Sequence, residues 1–196
     1  MKLYFSPGAC SLADHIALIE AGLAFDLVKV DLKAKRTADG DYLTINPKGY
    51  VPALALDDGE VLTENIAVLA YIADRSGKLM PSAGIARWRV LEATAFISSE
   101  LHKNFKPFFS PDSGDSAKRA AQDLLGKRFA LLGAQLGRGD FLVGEEISIA
   151  DCYLFVMLGW AREKAGVDLP ANLIAYHDRM KQRPSVAKAV AAEGAT

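Results

Sequence analysis

The sequence is poor in cysteine: Cys10 and Cys152 are the only two in 196 residues, with neither CxxC nor CxxH spacing. That excludes a disulfide framework and a Cys/His metal site, so no metal is expected and each thiol has to be judged by its surroundings. A basic run is also lacking. The 23 lysines and arginines are scattered against 24 acidic residues, for a formal charge of −1, which leaves no electrostatic footprint for nucleic acid. Long hydrophobic runs are missing as well. The most apolar stretch, "CYLFVMLGWA", is far shorter than the roughly 20 residues needed to cross a bilayer, and Asp14, His15 and Glu20 interrupt any leader-like segment near the start. Neither nucleic acid nor membrane is an expected partner, and the expected location is cytoplasmic. No internal repeat or low-complexity tract is present.

What is present is enough apolar content, 51% against 24% charged, to bury a proper core. "KLYFS" reads as a short strand closed by Pro7-Gly8. "SLADHIALIEAG" then places Leu12, Ile16, Ile19 and Leu23 at helical spacing, and "FDLVKVD" alternates again. A crossover of that length predicts parallel pairing of the two strands. In "VPALALDDGEVLTE" two apolar runs flank Asp58-Gly59, predicting an antiparallel hairpin with a type I′ turn. A helix follows in "ENIAVLAYIADRSG", with Ile66, Leu69, Ala70 and Ala73 on one face and Gly77 as its stop. The first half is therefore βαβ followed by ββα, a mixed four-stranded sheet with helices.

Composition shifts after "KLMPSAG", where Pro81, Ser82 and Gly84 mark a linker and everything beyond reads as helix. The expected fold is α+β, with domains at residues 1–78 and 85–196. The first helix of the second half sets Val90, Ile97, Leu101 and Phe105 along one stripe and Ser99, His102 and Lys103 along another. "SIADCYLF" offers Ser148 and Asp151 as a capping box, at the head of a helix apolar nearly all round. A last helix over roughly "ANLIAYHDRMKQ" is expected to stop near Pro184.

Four features carry chemistry. Cys10 lies at the start of the first helix, where backbone N–H groups and the macrodipole favour a thiolate, although a buried apolar thiol fits the same position. An acidic Cys10 would serve mainly as a leaving group from a mixed disulfide, because lowering a thiol's pKa weakens its thiolate as a nucleophile. Cys152, inside an apolar helix, reads as core. Pro52 opens a strand in "NPKGYVPAL"; a cis Val51-Pro52 bond would turn the Val51 N–H and C=O towards an extended peptide-like ligand. Glu64 and Asn65 open a helix, either as ordinary capping residues or as a site for an amino-acid end, with a carboxylate for the ammonium and helix N–H groups for the α-carboxylate. Lys35 stands in the basic loop "LKAKRT".

Taken together, "MKLYFSPGACSL", "NPKGYVPAL", "LTENIAVLAYIAD", "FISSELHKNF", "SIADCYLF" and "QRPSV" resemble the bacterial glutathione transferases of the beta class over essentially the whole chain. The resemblance implies a thioredoxin-like N-terminal domain (residues 1–78), an all-helical C-terminal domain (residues 85–196) forming the electrophile side of a cleft, glutathione as co-substrate, and a homodimer. It implies that Cys10 is the active-site thiol with Ser11 beside it. Lys35 is then the contact for the glycyl carboxylate, Val51 beside Pro52 the main-chain partner of the cysteinyl residue, and Glu64 with Asn65 the γ-glutamyl site. Ser99, Glu100, His102 and Lys103, in "SELHK", reach the site from the helical domain, with His102 and Lys103 also expected to assist catalysis. Asn65 departs from the small residue usual at its position.

Two chemistries compete at such a site. Conjugation needs a neutral Cys10 donating S–H to the glutathione sulfur, whereas thiol exchange or reductive dehalogenation needs a Cys10 thiolate that forms a mixed disulfide. Two adjacent thiolates repel, so both states cannot hold at once. Tyr4, Phe105, Phe108, Phe109 and Trp160 suggest a small hydrophobic, aromatic electrophile. The alternative from another class is a non-catalytic interaction or ligand-binding module of the same fold; such relatives tend to lose the thiol and polar site residues, which this chain keeps.

Overall fold

At the middle of the first sheet lies β1 (Lys2–Phe5), whose Leu3, Tyr4 and Phe5 are all buried, so that both faces of the strand are covered. It pairs in parallel with β2 (Asp26–Lys29) on one side and antiparallel with β5 (Ala53–Ala55) on the other, and β5 pairs with β6 (Val61–Thr63), giving the order β2-β1-β5-β6. The computed structural model describes residues 1–194. A two-stranded ribbon, β3 (Arg36–Thr37) with β4 (Gly40–Asp41), was not foreseen; it stands in the loop between β2 and β5.

The β5–β6 hairpin forms as expected, but its turn differs. Only Gly59 takes a positive φ (94°), and its N–H donates to Leu56 O, so the connection is a wider turn closed by a left-handed glycine rather than a type I′ pair at Asp58-Gly59.

The connection from β1 to β2 carries α1 (Leu12–Ala21), buried over most of its circumference because α2 (Asn65–Ser76) and α8 (Pro184–Glu193) both pack on it. Along α2 the buried positions are Asn65, Val68, Leu69, Ile72 and Ala73. Leu69 and Ala73 of the expected stripe are buried, whereas Ile66 and Ala70 are only half-buried because Asn65, Val68 and Ile72 complete the buried face.

The second half is helical, as composition implied. It runs through α3 (Gly84–Phe96), a π-helical turn (Ile97–Leu101), a 3-10 turn (His102–Phe105), α4 (Lys106–Phe109), α5 (Asp115–Leu136), α6 (Ile149–Trp160) and α7 (Ala171–Lys181). Val90, Ile97, Leu101 and Phe105 are all buried, and α6 is buried along nearly its whole length. The capping box is present. Asp151 accepts from Ser148 N (2.8 Å) and Ser148 Oγ (2.7 Å), and also from Leu142 N and Tyr176 Oη (both 2.8 Å), so one carboxylate ties the head of α6 to a loop and to α7.

Pro184 does not end the helical region. It opens α8 at the first helical position, where its missing N–H costs nothing. The chain divides into the unit Met1–Ser82 joined by the segment from Arg183 onward, and the unit Ala83–Gln182. The sequence placed α8 with the helical half; it packs instead on α1, because Arg183 and Ser185 both donate to Glu20 and Glu193 pairs with His15. Among the described residues no helix is long and apolar enough to cross a membrane.

Candidate active site

Cys10 sits in the turn before α1, with Ser11 as the helix's N-cap, and is almost wholly buried. Its S–H donates to Val51 O at 3.4 Å. The backbone N–H groups of Cys10 and Ser11 face the sulfur and favour a thiolate, as expected for a helix start. They are outweighed by burial first and by the neighbouring Asp14 second, which push the thiol far above its usual range. Of the two readings open for Cys10, its surroundings favour the buried thiol, because desolvation exceeds what the helix end supplies.

Val51 belongs to a cluster with Tyr4, Val30, Tyr42 and Ala53, and the Val51-Pro52 peptide bond is cis. The loop leading into it is pinned by Tyr42 Oη (2.9 Å) and Asn46 Nδ2 (2.7 Å), both donating to Tyr50 O. Lys35 reaches the same loop, its Nζ donating to Gly49 O at 2.6 Å. Gly49 has φ +70°, a conformation that favours glycine, and a Cβ there would crowd Leu43 at 3.2 Å.

Glu64 takes φ +73°, an uncommon conformation for a non-glycine residue, immediately ahead of α2. Its carboxylate accepts from Lys48 Nζ and from Tyr50 Oη, both at 2.6 Å, and the same ammonium donates to Thr63 Oγ1 at 2.8 Å. Asn65 turns the other way. Its side-chain amide is buried and donates to Cys10 O (2.9 Å) and Asp14 Oδ2 (3.2 Å). The side chain expected in a γ-glutamyl pocket instead binds the first turn of α1. Ser11 is also internal, its Oγ accepting from Ser6 N at 3.3 Å.

Cys10, Ser11, Lys35, Val51, Pro52, Glu64 and Asn65 therefore lie within one unit, linked by Cys10–Val51, Asn65–Cys10 and Tyr50–Glu64 contacts. In the helical unit, Ser99 and Lys103 are exposed, and Glu100 pairs with Arg128 of α5 at 2.8 Å. His102 is held by a hydrogen bond between Nδ1 and Tyr153 Oη and lies edge-on to Trp160, with ring centroids 5.1 Å apart. Trp160 in turn meets Phe105 (5.5 Å) and Phe109 (4.7 Å), and Phe105 meets Phe108 (6.3 Å). Tyr4 is not part of this aromatic set; it packs on Tyr42 in the core of the other unit.

Sequence reasoning missed Asp14, Lys48, Tyr50 and the pair His15–Glu193, whose Nδ1 and Oε1 are 2.9 Å apart. Two acidic or basic residues at adjacent positions in an apolar helix, Asp14 and His15, were the available signal. Among the described residues no cluster of histidine, cysteine and carboxylate groups could hold a metal ion.

The chain matches the glutathione S-transferase N-terminal domain over residues 1–74 and the glutathione S-transferase C-terminal domain over residues 99–193. It is 43% identical to the glutathione S-transferase GstA of Escherichia coli O157:H7 across 99% of both chains. Among solved structures, it is similar to the beta class glutathione S-transferase of Sphingomonas chungbukensis (50% identity, TM-score 0.93, all of both chains). It is also similar to a sphingomonad glutathione S-transferase complexed with glutathione (48% identity, TM-score 0.93, all of both chains).

Proposed function

The chain belongs to the glutathione S-transferase family, and from that membership we propose that it conjugates glutathione to small hydrophobic electrophiles, with Cys10 as a neutral S–H donor to the glutathione sulfur. The observation that carries this reading is the Cys10 thiol itself, buried and within hydrogen-bond reach of Val51 O, with burial pushing it up towards the protonated form.

The three ends of glutathione find complementary groups in the first unit. Glu64 offers a carboxylate to the γ-glutamyl ammonium, the start of α2 offers N–H groups to its α-carboxylate, Val51 offers main-chain partners to the cysteinyl residue, and Lys35 a cation to the glycyl carboxylate. When glutathione is seated, its thiol proton passes to solvent, and Cys10 S–H and the N–H groups of Cys10 and Ser11 stabilise the thiolate left behind. A charge-assisted hydrogen bond contributes about 1.5–3 kcal/mol, or roughly one to two pK units, which brings an ordinary thiol near neutral pH. The glutathione thiolate then attacks the electrophilic carbon; the C–S bond forms, the carbon–halogen bond breaks, and halide leaves. A small aromatic electrophile is the class proposed, supported by the aromatic set of Phe105, Phe108, Phe109 and Trp160 within the helical unit, where His102 lies edge-on to Trp160.

Thiol exchange is the second reading. It requires Cys10 as a thiolate attacking a disulfide sulfur, and the raised thiol makes it the slower path at neutral pH. A homodimer is part of the proposal, supported by Ile85 and Trp88, which stand 71% and 64% exposed one turn apart on α3. So is a cytoplasmic location. The experiment is a steady-state assay with an activated aryl chloride. Lys35→Ala and Glu64→Ala should each raise the KM for glutathione by roughly tenfold or more, with kcat changed less. Absent conjugation would favour the non-catalytic module instead, and conjugation indifferent to both substitutions would refute this placement of glutathione.

A further inference from the structure

Tyr50 stands immediately before Val51 in "NPKGYVPAL", and its backbone is held from the core. The Tyr50 carbonyl accepts from Tyr42 Oη (2.9 Å) and Asn46 Nδ2 (2.7 Å), and both of those residues are buried. The ring itself is a poor piece of core, 43% exposed. Its hydroxyl crosses to the start of α2 and donates to Glu64 Oε1 at 2.6 Å. A tyrosine side chain is short in torsions and rigid, so an anchored backbone gives an anchored hydroxyl.

Glu64 depends on such a contact. Its side chain is 55% exposed and flexible, and its backbone takes φ +73°, so packing does not fix where the carboxylate lies. A hydrogen bond from a fixed hydroxyl does.

We propose that Tyr50 is a positioning residue that holds the Glu64 carboxylate ready for the γ-glutamyl ammonium, and thereby sets the site's preference for ligands with a free α-amine. The proposal rests on the reading of Glu64 as the γ-glutamyl site.

Two side chains share Glu64 Oε1, and their charges separate their roles. Lys48 Nζ also donates to it at 2.6 Å and to Thr63 Oγ1 at 2.8 Å. As a cation it holds the carboxylate but repels a second ammonium arriving there. The tyrosine hydroxyl is a neutral donor. It orients the carboxylate and leaves the negative charge for the ligand. Loss of the hydroxyl and loss of the lysine should therefore act on glutathione in opposite directions.

The test is calorimetric titration of the whole chain, direct and by displacement, with glutathione and with N-acetylglutathione, in which the ammonium is replaced by a neutral amide. Wild type is compared with Tyr50→Phe, Lys48→Met, the double variant and Glu64→Gln, with melting temperatures recorded alongside. Tyr50→Phe should weaken glutathione roughly three- to tenfold, the loss of one hydrogen bond, and leave N-acetylglutathione within about twofold of wild type. The preference for the free amine then shrinks, the KM for glutathione rises with the Kd, and kcat changes less. Lys48→Met should tighten glutathione. Adding Tyr50→Phe to Lys48→Met should cost more than Tyr50→Phe alone, because Lys48 no longer holds the carboxylate. Glu64→Gln should remove most of the amine preference. If Glu64→Gln removes it while Tyr50→Phe leaves it unchanged, weakens both ligands equally or tightens glutathione, the role of Tyr50 is overturned and Glu64 keeps its assignment. If wild type shows no amine preference, or Glu64→Gln keeps it whole, the reading of Glu64 fails and the proposal falls with it.

Discussion

Replacing Cys10 with alanine separates the two chemistries open to this site. The substitution removes the thiol but keeps the backbone N–H groups of Cys10 and Ser11 that face the sulfur position. A thiol is a weak donor, so its loss should cost the glutathione thiolate about 1.5 kcal/mol, the low end for a hydrogen bond to a charged group. That corresponds to roughly a twelvefold fall in kcat/KM for the aryl chloride at saturating glutathione and at pH below the bound thiol's pKa, and to a pH profile displaced upwards by about one unit. Stability should change little, because the cavity is one sulfur atom wide beside residues that are otherwise well packed. Initial rates with an activated aryl chloride between pH 6 and pH 9 measure both quantities, and the same protein should form no mixed disulfide at residue 10. Complete loss of conjugation with an unchanged melting temperature would show that Cys10 takes a covalent part in the reaction, and the donor role would be wrong.

Other consequences follow from the same contacts. Glu193→Ala removes the partner of buried His15 and the 3.1 Å acceptor of Gly8 N, so unfolding in urea should show a loss of about 3 kcal/mol. His177 is pushed down to about 4 by burial first and by Arg162 second, with Arg162 donating to its Nδ1 at 2.9 Å. Its folded pKa lies below the unfolded value, so the neutral ring's contribution is complete above pH 6.5 and declines as pH falls towards 4. Allowing for solvent screening, about 2 kcal/mol should be lost over that window, and His177→Gln should flatten the dependence in thermal melts recorded from pH 4 to pH 7. Lys48 shares the Glu64 carboxylate that the γ-glutamyl ammonium needs. Lys48→Met should therefore lower the KM for glutathione roughly two- to fivefold, and a raised KM would show that the lysine helps to seat the ligand.

The elements that position the site were readable because their signals are local. A strand, a Pro-Gly turn and a helix around Cys10, the apolar runs flanking Asp58-Gly59, and Ser148 with Asp151 each declare themselves within a few residues. The contacts that govern the thiol are not local. Asn65 meets Cys10 and Asp14 across more than fifty residues, and nothing in "LTENIA" distinguishes an amide that caps its own helix from one that crosses to another. The same holds for α8. Pro184 is compatible with a helix end or a helix start, and only the partners of Glu20 and His15, far earlier in the chain, decide that it is a start. The environment of Cys10 was hidden for a third reason: a helix N-terminus is visible in sequence, but the burial that pushes the thiol up is a property of the packed fold.

The central claim is that Glu64, the start of α2, Val51 and Lys35 form a glutathione site beside Cys10. Calorimetric titration of the reduced protein with glutathione tests it most directly. The account predicts saturable binding at about one site per chain, weakened by Lys35→Ala and Glu64→Ala alike. No heat of binding at millimolar glutathione, in a protein whose melting curve shows it folded, would contradict it.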